Sequence, residues 1–131
     1  MNLWKWGNMY FKQETGKIGE DISVRYLKQN GYEIIQRNFE CKQGEIDIIA
    51  KDKEELVFIE VKTRESLLYG LPKEAIDKTK KKHIYKSAEF YVYINQLEDK
   101  AIRIDVIEVY KKQEKYKLYH IKNAITENPK K

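Results

Sequence analysis

The chain has 131 residues, 41% of them hydrophobic and 36% charged, with a net charge of +5 and a pI near 9.1. That supports one domain with a core of its own, and the basic balance leans toward a polyanionic partner without requiring one. A single cysteine, Cys41, excludes an intramolecular disulfide and fits a reducing compartment. No apolar run reaches transmembrane length, so a cytoplasmic protein without a membrane role is expected.

In chain order, residues 1–14 carry Trp4, Trp6, Met9, Tyr10 and Phe11, broken by Lys5 and Lys12. This aromatic N-terminal arm lacks the continuous apolar core of a signal peptide. It is expected to pack on the domain or on a partner subunit, which leaves a homodimer open. Residues 15–125 read as the domain and 126–131 as a frayed tail. Within the domain, residues 15–30 read as a helix with Thr15 as N-cap and Gly31 placed to end it. Gly16, Gly19, Glu20, Ser23 and Leu27 share one face, and three of these are small enough for a close approach to a neighbouring element. Ile18, Ile22 and Tyr26 form an adjoining apolar strip. Glu20 therefore lies on or beside a packed face. Two readings stay open for it: a solvent-edge acid with a buried stem, or a third carboxylate aimed at a site on the strands that follow.

Residues 32–40 read as the first strand, residues 42–44 as a turn, 45–51 as the second strand and 56–63 as the third. The polar stretch 52–55 between the last two suits a four-residue hairpin loop. If Lys51 pairs with Leu56 around it, Asp47 faces Glu60 and Glu45 faces Lys62. Facing Cβ atoms lie about 4.5–5.5 Å apart, so two carboxylates would stand side by side with an ammonium group next to them. Facing acids repel, and a divalent cation compensates them. Hard oxygen ligands suit Mg²⁺, with Mn²⁺ as a substitute. Glu60 follows the unbroken apolar run Leu56, Val57, Phe58 and Ile59, the pattern of a central strand buried on both faces, so its charge is not readily dismissed as a solvated one.

After a polar loop over residues 64–71, Pro72 suits the first turn of a long helix reaching Ile94. Ile76, His83, Ile84, Ala88, Tyr91 and Val92 mark its buried stripe. Lys78, Lys80, Lys81 and Lys82 lie mostly off that stripe. They read either as a plain solvated face or, beside an acidic metal site, as contacts to nucleic-acid phosphates. Arg64 is a candidate phosphate clamp through its planar fork. His120 has no partner at a recognisable spacing. Residues 102–109 and 116–121 complete the strands. The order α-β-β-β-α-β-β gives an α/β fold, a mixed β-sheet flanked by helices, with a crossover that lets the fourth strand run parallel to an earlier one.

Four blocks then occur in a telling order: Gly16-x-x-Gly19-Glu20, Gly44 to Ala50 (GEIDIIA), Val57 to Arg64 (VFIEVKTR) and Arg103 to Ile107 (RIDVI). Over roughly residues 16–124 the chain resembles the YraN-like family of predicted endonucleases, itself similar to archaeal Holliday-junction resolvases of the PD-(D/E)xK superfamily. The resemblance implies a restriction-endonuclease-like fold. It places that superfamily's helix acid on Glu20, its first strand acid on Asp47, and its second acid and lysine on Glu60 and Lys62. One departure is that Ile46, rather than proline, precedes Asp47. The expectation is a Mg²⁺-dependent endonuclease acting on DNA, including branched or structured DNA. Asp47 and Glu60 would hold the metal, Glu20 would complete the shell, and Lys62 would position the attacking water. The alternative is a non-catalytic nucleic-acid-binding or protein-interaction module that keeps the fold.

Overall fold

Local chemistry sets where each element stops. In the computed structural model, which describes residues 12–64 and 78–126 (side chains from Gly16 on), α1 spans Lys12–Gln29. It ends in a Schellman motif: Gly31, at φ 87°, donates its N–H to the Lys28 carbonyl, and Tyr32 donates to the Leu27 carbonyl. The helix begins earlier than the sequence suggests, so Thr15 lies inside it and is not its cap. α2 spans Lys78–Ile94 and ends in the same way, with Gln96 at φ 55° in the position glycine usually takes. The aromatic arm up to residue 11, the loop 65–71 with Pro72 and Ile76, and the tail from residue 127 lie outside the described residues.

The strands are β1 (Glu33–Cys41), β2 (Gly44–Asp52), β3 (Glu55–Arg64), β4 (Ile102–Lys112) and β5 (Lys115–Ile121). They form one sheet in the order β1-β2-β3-β4-β5, antiparallel throughout except for the parallel β3–β4 pair that α2 connects. The expected register holds, since Lys51 pairs with Leu56. The loop does not: Asp52 still pairs with Glu55, so the turn has two residues, and Lys53 at φ 56° reverses the chain.

Side chains alternate across the strands and build a core on each face. On one face Ile18, Ile22, Val24 and Leu27 of α1 pack on Ile48, Ala50, Val57, Ile59, Ile107 and Val109. On the other, Ile84, Ala88 and Tyr91 of α2 pack on Phe39, Ile46, Ile49, Leu56, Phe58, Ile104 and Val106. Two sequence expectations shift here. Gly16 is exposed and meets nothing, so of the two glycines it is Gly19 that makes the close helix approach, with Ser23 buried on the same face. His83 is exposed rather than part of the α2 stripe, whose buried members are Ile84, Ser87, Ala88 and Tyr91.

Candidate active site

The centre of interest lies where the sheet opens. The β2–β3 ladder runs from Asp52–Glu55 to Ile48–Ile59 and ends one residue before Asp47 and Glu60 would pair. Asp47 instead turns its own carboxylate into the gap, and Oδ2 accepts the Val61 N–H at 2.8 Å. The alternation of faces breaks at this point, because Ile46 and Ile48 belong to opposite cores although two residues apart. The neighbouring strand kinks with it. Asn38, at φ 54°, sits between the pairs Arg37–Ile48 and Phe39–Ile46. Glu45 pairs with Glu40 on its β1 side, but the β2–β3 ladder stops before it could face Lys62.

Asp47 and Glu60 nevertheless converge. Burial, and then the charge of Glu60, push the Asp47 carboxyl up to about 7, against the opposing effect of the Val61 N–H, and the two carboxyls are close enough to hydrogen-bond when one is protonated. Glu60 is only 4% exposed. Its Oε2 lies 3.7 Å from the Lys62 ammonium and 3.5 Å from that of Lys80. Lys80, which the sequence offered as a phosphate contact on a solvated helix face, thus reaches the acidic pair itself.

Glu20 is delivered to the same region by an unusually close helix approach. A Cβ at Gly19 would run into the Thr63 hydroxyl, so only glycine lets α1 seat this low over β3 beside Lys62. Glu20 Oε1 accepts from Arg37 Nε at 2.9 Å and from Asn38 Nδ2 at 3.2 Å, while Arg37 also bonds Asp21 at 2.5 Å. Burial raises the Glu20 carboxyl above its ordinary range despite Arg37, and Asp47 adds to the rise. Glu20 is therefore within electrostatic reach of Asp47 but held by two donors of its own.

Arg64 turns inward: its Nε stands 4.0 Å from Oε2 of Glu108, a fully buried acid that pairs in register with Lys62 and accepts the Tyr110 hydroxyl at 3.2 Å. Sequence reasoning passed over Glu108. The available signal was its position between Ile107 and Val109 in the apolar run that follows Asp105. Lys78 is exposed, and Lys81 and Lys82 are half-buried on α2. A cleft of about 410 Å³ opens between α2 and the β1–β2 turn, lined by Glu40, Cys41, Gly44, Glu45, Lys80, His83 and Ile84.

Among the described residues no three carboxylate, imidazole or thiol groups form a ready cation cage. The donors still fit a hard divalent cation. Two adjacent carboxylates that repel each other, Asp47 half-buried and Glu60 buried, supply oxygen ligands, and Mg²⁺ typically takes only one or two protein carboxylates and fills its octahedron with water and substrate oxygens.

A second polar cluster lies at the start of β4 on the α1 side of the sheet. Asp105, fully buried, accepts from Arg103 Nε at 2.9 Å, His120 Nε2 at 2.7 Å and the Asn123 N–H at 3.0 Å. His120 Nδ1 meets the Tyr26 hydroxyl at 2.9 Å, and Arg103 reaches the Tyr32 hydroxyl, Asp52 and Glu55. The apparently partnerless His120 thus has two partners.

A family model described as uncharacterised protein family UPF0102 matches residues 19–109. A UPF0102 protein of Caldicellulosiruptor saccharolyticus is 49% identical over 115 residues, covering 86% of this chain and 98% of the relative. One from Clostridium botulinum is 54% identical over 101 residues, covering 76% and 82%. Among solved structures, a repair endonuclease from Pyrococcus abyssi aligns at TM-score 0.41 and 16% identity, covering 82% of this chain and 42% of that one. Pyrococcus furiosus SfsA in complex with Ca²⁺ aligns at TM-score 0.40 and 12% identity, covering 84% and 63%. Likeness at that level carries no functional argument. No helix among the described residues is long and apolar enough to cross a membrane.

Proposed function

From the premise that this chain belongs to the uncharacterised protein family UPF0102, we propose that it is a metal-dependent nuclease hydrolysing phosphodiester bonds in DNA. One observation carries the reading: two acids from adjacent strands, half-buried Asp47 and buried Glu60, are pressed together where the ladder opens, with two lysines beside Glu60. An arrangement that raises a carboxyl to about 7 is costly for a fold and is characteristic of functional sites.

In this reading Asp47 and Glu60 hold a Mg²⁺ or Mn²⁺ ion, which when bound supplies Lewis acidity toward a phosphate oxygen and acidifies water. Lys62 holds the attacking water in line and offsets the negative charge that grows on phosphorus oxygens as the water oxygen bonds to phosphorus and the P–O ester bond breaks. The attacking water gives up a proton to solvent, and the leaving oxygen takes one up from solvent. Glu20 supports the pair from α1, its carboxylate fixed by Arg37 and Asn38. Lys78, Lys81, Lys82 and Arg64 supply positive charge to the flanking phosphates, with Arg64 first leaving Glu108.

A second reading, a nucleic-acid-binding or protein-interaction module without turnover, is favoured by the engagement of Glu20 with Arg37 and Asn38, which keeps the helix acid from joining the pair. The two separate in one experiment: titration of purified protein with Mg²⁺ or Mn²⁺ against linear, single-stranded and four-way-junction DNA. The nuclease reading expects cation-dependent cleavage that Asp47→Asn abolishes. Binding without cleavage in any metal supports the second.

A further inference from the structure

Both lysines near Glu60 point at the same oxygen. Lys62 Nζ is 3.7 Å and Lys80 Nζ 3.5 Å from Oε2, on a side chain that is 5% exposed. A cation bound through Oε2 at about 2.1 Å would lie within about 6 Å of an unmoved Lys80 ammonium, and like charges so close repel even at an effective dielectric near 20. We infer that Lys80 is an internal counterion that holds the divalent cation's place at Glu60 and must withdraw for the cation to bind. This rests on reading Asp47 and Glu60 as a cation site.

The two lysines are not equivalent in this respect. Lys62 sits on β3 two residues from Glu60, so the strand keeps it at the site. Lys80 comes from the first turn of α2 on a flexible four-carbon stem, and it lines the cleft beside the site. That cleft offers room and a destination, since Glu40 and Glu45 are on its walls. Withdrawal moves the ammonium toward these carboxylates rather than into bare solvent. It also shifts positive charge from Glu60 into the open cleft, where a polyanion would meet it. Lys80 is thus a positioning residue, and its effect falls on cation affinity.

The test is calorimetric titration of the full chain with MnCl₂, without nucleic acid, so that the readout is independent of cleavage. Lys80→Ala should bind Mn²⁺ about tenfold more tightly than wild type, because a competing charge has gone. Lys80→Arg, which keeps that charge, should stay near the wild-type affinity. Lys100→Ala, an equal loss of net charge in the exposed α2–β4 turn, should also leave it unchanged. A Lys80→Ala protein that melts well below wild type is replaced by Lys80→Gln, with the same expectation. Wild-type-like or weaker Mn²⁺ binding by the folded Lys80 variant overturns the inference and leaves the cation site standing. Failure of both wild type and variant to bind Mn²⁺ overturns the inference and the cation site together.

Discussion

Two acids of this sheet, fully buried Asp105 and half-buried Asp47, meet opposite fates. Asp105 is surrounded by donors from Arg103, His120 and the Asn123 N–H; burial alone would raise its carboxyl, yet these bonds hold it below its ordinary range. Asp47 has one backbone donor and another acid beside it, and its carboxyl is pushed up to about 7. Both carboxyls lose water on folding, but Asp105 is ringed by donors, whereas the lysines near the Asp47–Glu60 pair stand at Glu60. A saturated buried network specifies the fold, whereas an acid crowded against another acid is the kind of arrangement that functional sites retain.

The sharpest way to break this contrast is to remove Asp105. Asp105→Ala strips the counter-charge from buried Arg103 and the acceptor from His120, and should cost about 3–5 kcal/mol of stability in denaturant unfolding. A loss below about 1 kcal/mol would show that the cluster is ornamental. Its pH dependence has a definite sign. A carboxyl depressed in the folded state stabilises above its unfolded pKa, and that contribution fades as pH falls through the folded value. The stability gap between wild type and Asp105→Asn should therefore be full at pH 7 and shrink once the pH falls below about 4.

The next effect is kinetic. Lys62→Ala should fold and melt like wild type but cleave at least ~100-fold more slowly, about 3 kcal/mol in activation free energy, as for loss of a preorganised charge. Single-turnover cleavage beside a thermal melt separates this from a structural role, in which activity would track the folded fraction. Cleavage at the wild-type rate by a folded variant removes Lys62 from the chemistry. Gly19→Ala is smaller: forcing a methyl group against Thr63 should cost about 1–3 kcal/mol and displace Glu20 from the opened strands. Unchanged stability and activity would mean that the helix approach is not needed.

Much of the fold was written in local pattern. The apolar run from Leu56 to Ile59 announced a central strand, and β3 is buried from Leu56 through Glu60. Lys51 opposite Leu56 followed from turn placement and is found. What stayed hidden depends on contacts distant in sequence or on a break in regularity. Nothing near His120 foretells Tyr26, 94 residues earlier, and nothing near Lys80 foretells Glu60. The period-two rule that brought Asp47 to Glu60 fails at Asp47 itself, where the β2–β3 ladder opens and Asn38 across on β1 takes a left-handed conformation. The register was legible, then, while the opening that gives Asp47 its partners was not. The phase error at His83 has a similar origin: Ser87, bonded back to the His83 carbonyl, is a buried polar residue that an apolar count cannot recognise.

The last expected effect is the smallest in energy and bears most directly on the central claim, that Asp47 and Glu60 form a cation site. Thermal melts of wild type and Asp47→Asn are compared at pH 8 in EDTA and in excess Mg²⁺ or Mn²⁺. The asparagine keeps an acceptor for the Val61 N–H and removes the repulsion, so in EDTA the variant should melt a few degrees higher, a gain of about 1 kcal/mol. Adding cation should raise the wild-type Tm and leave that of Asp47→Asn unmoved. A wild-type Tm indifferent to both cations, or an Asp47→Asn protein less stable than wild type in EDTA, would contradict the account.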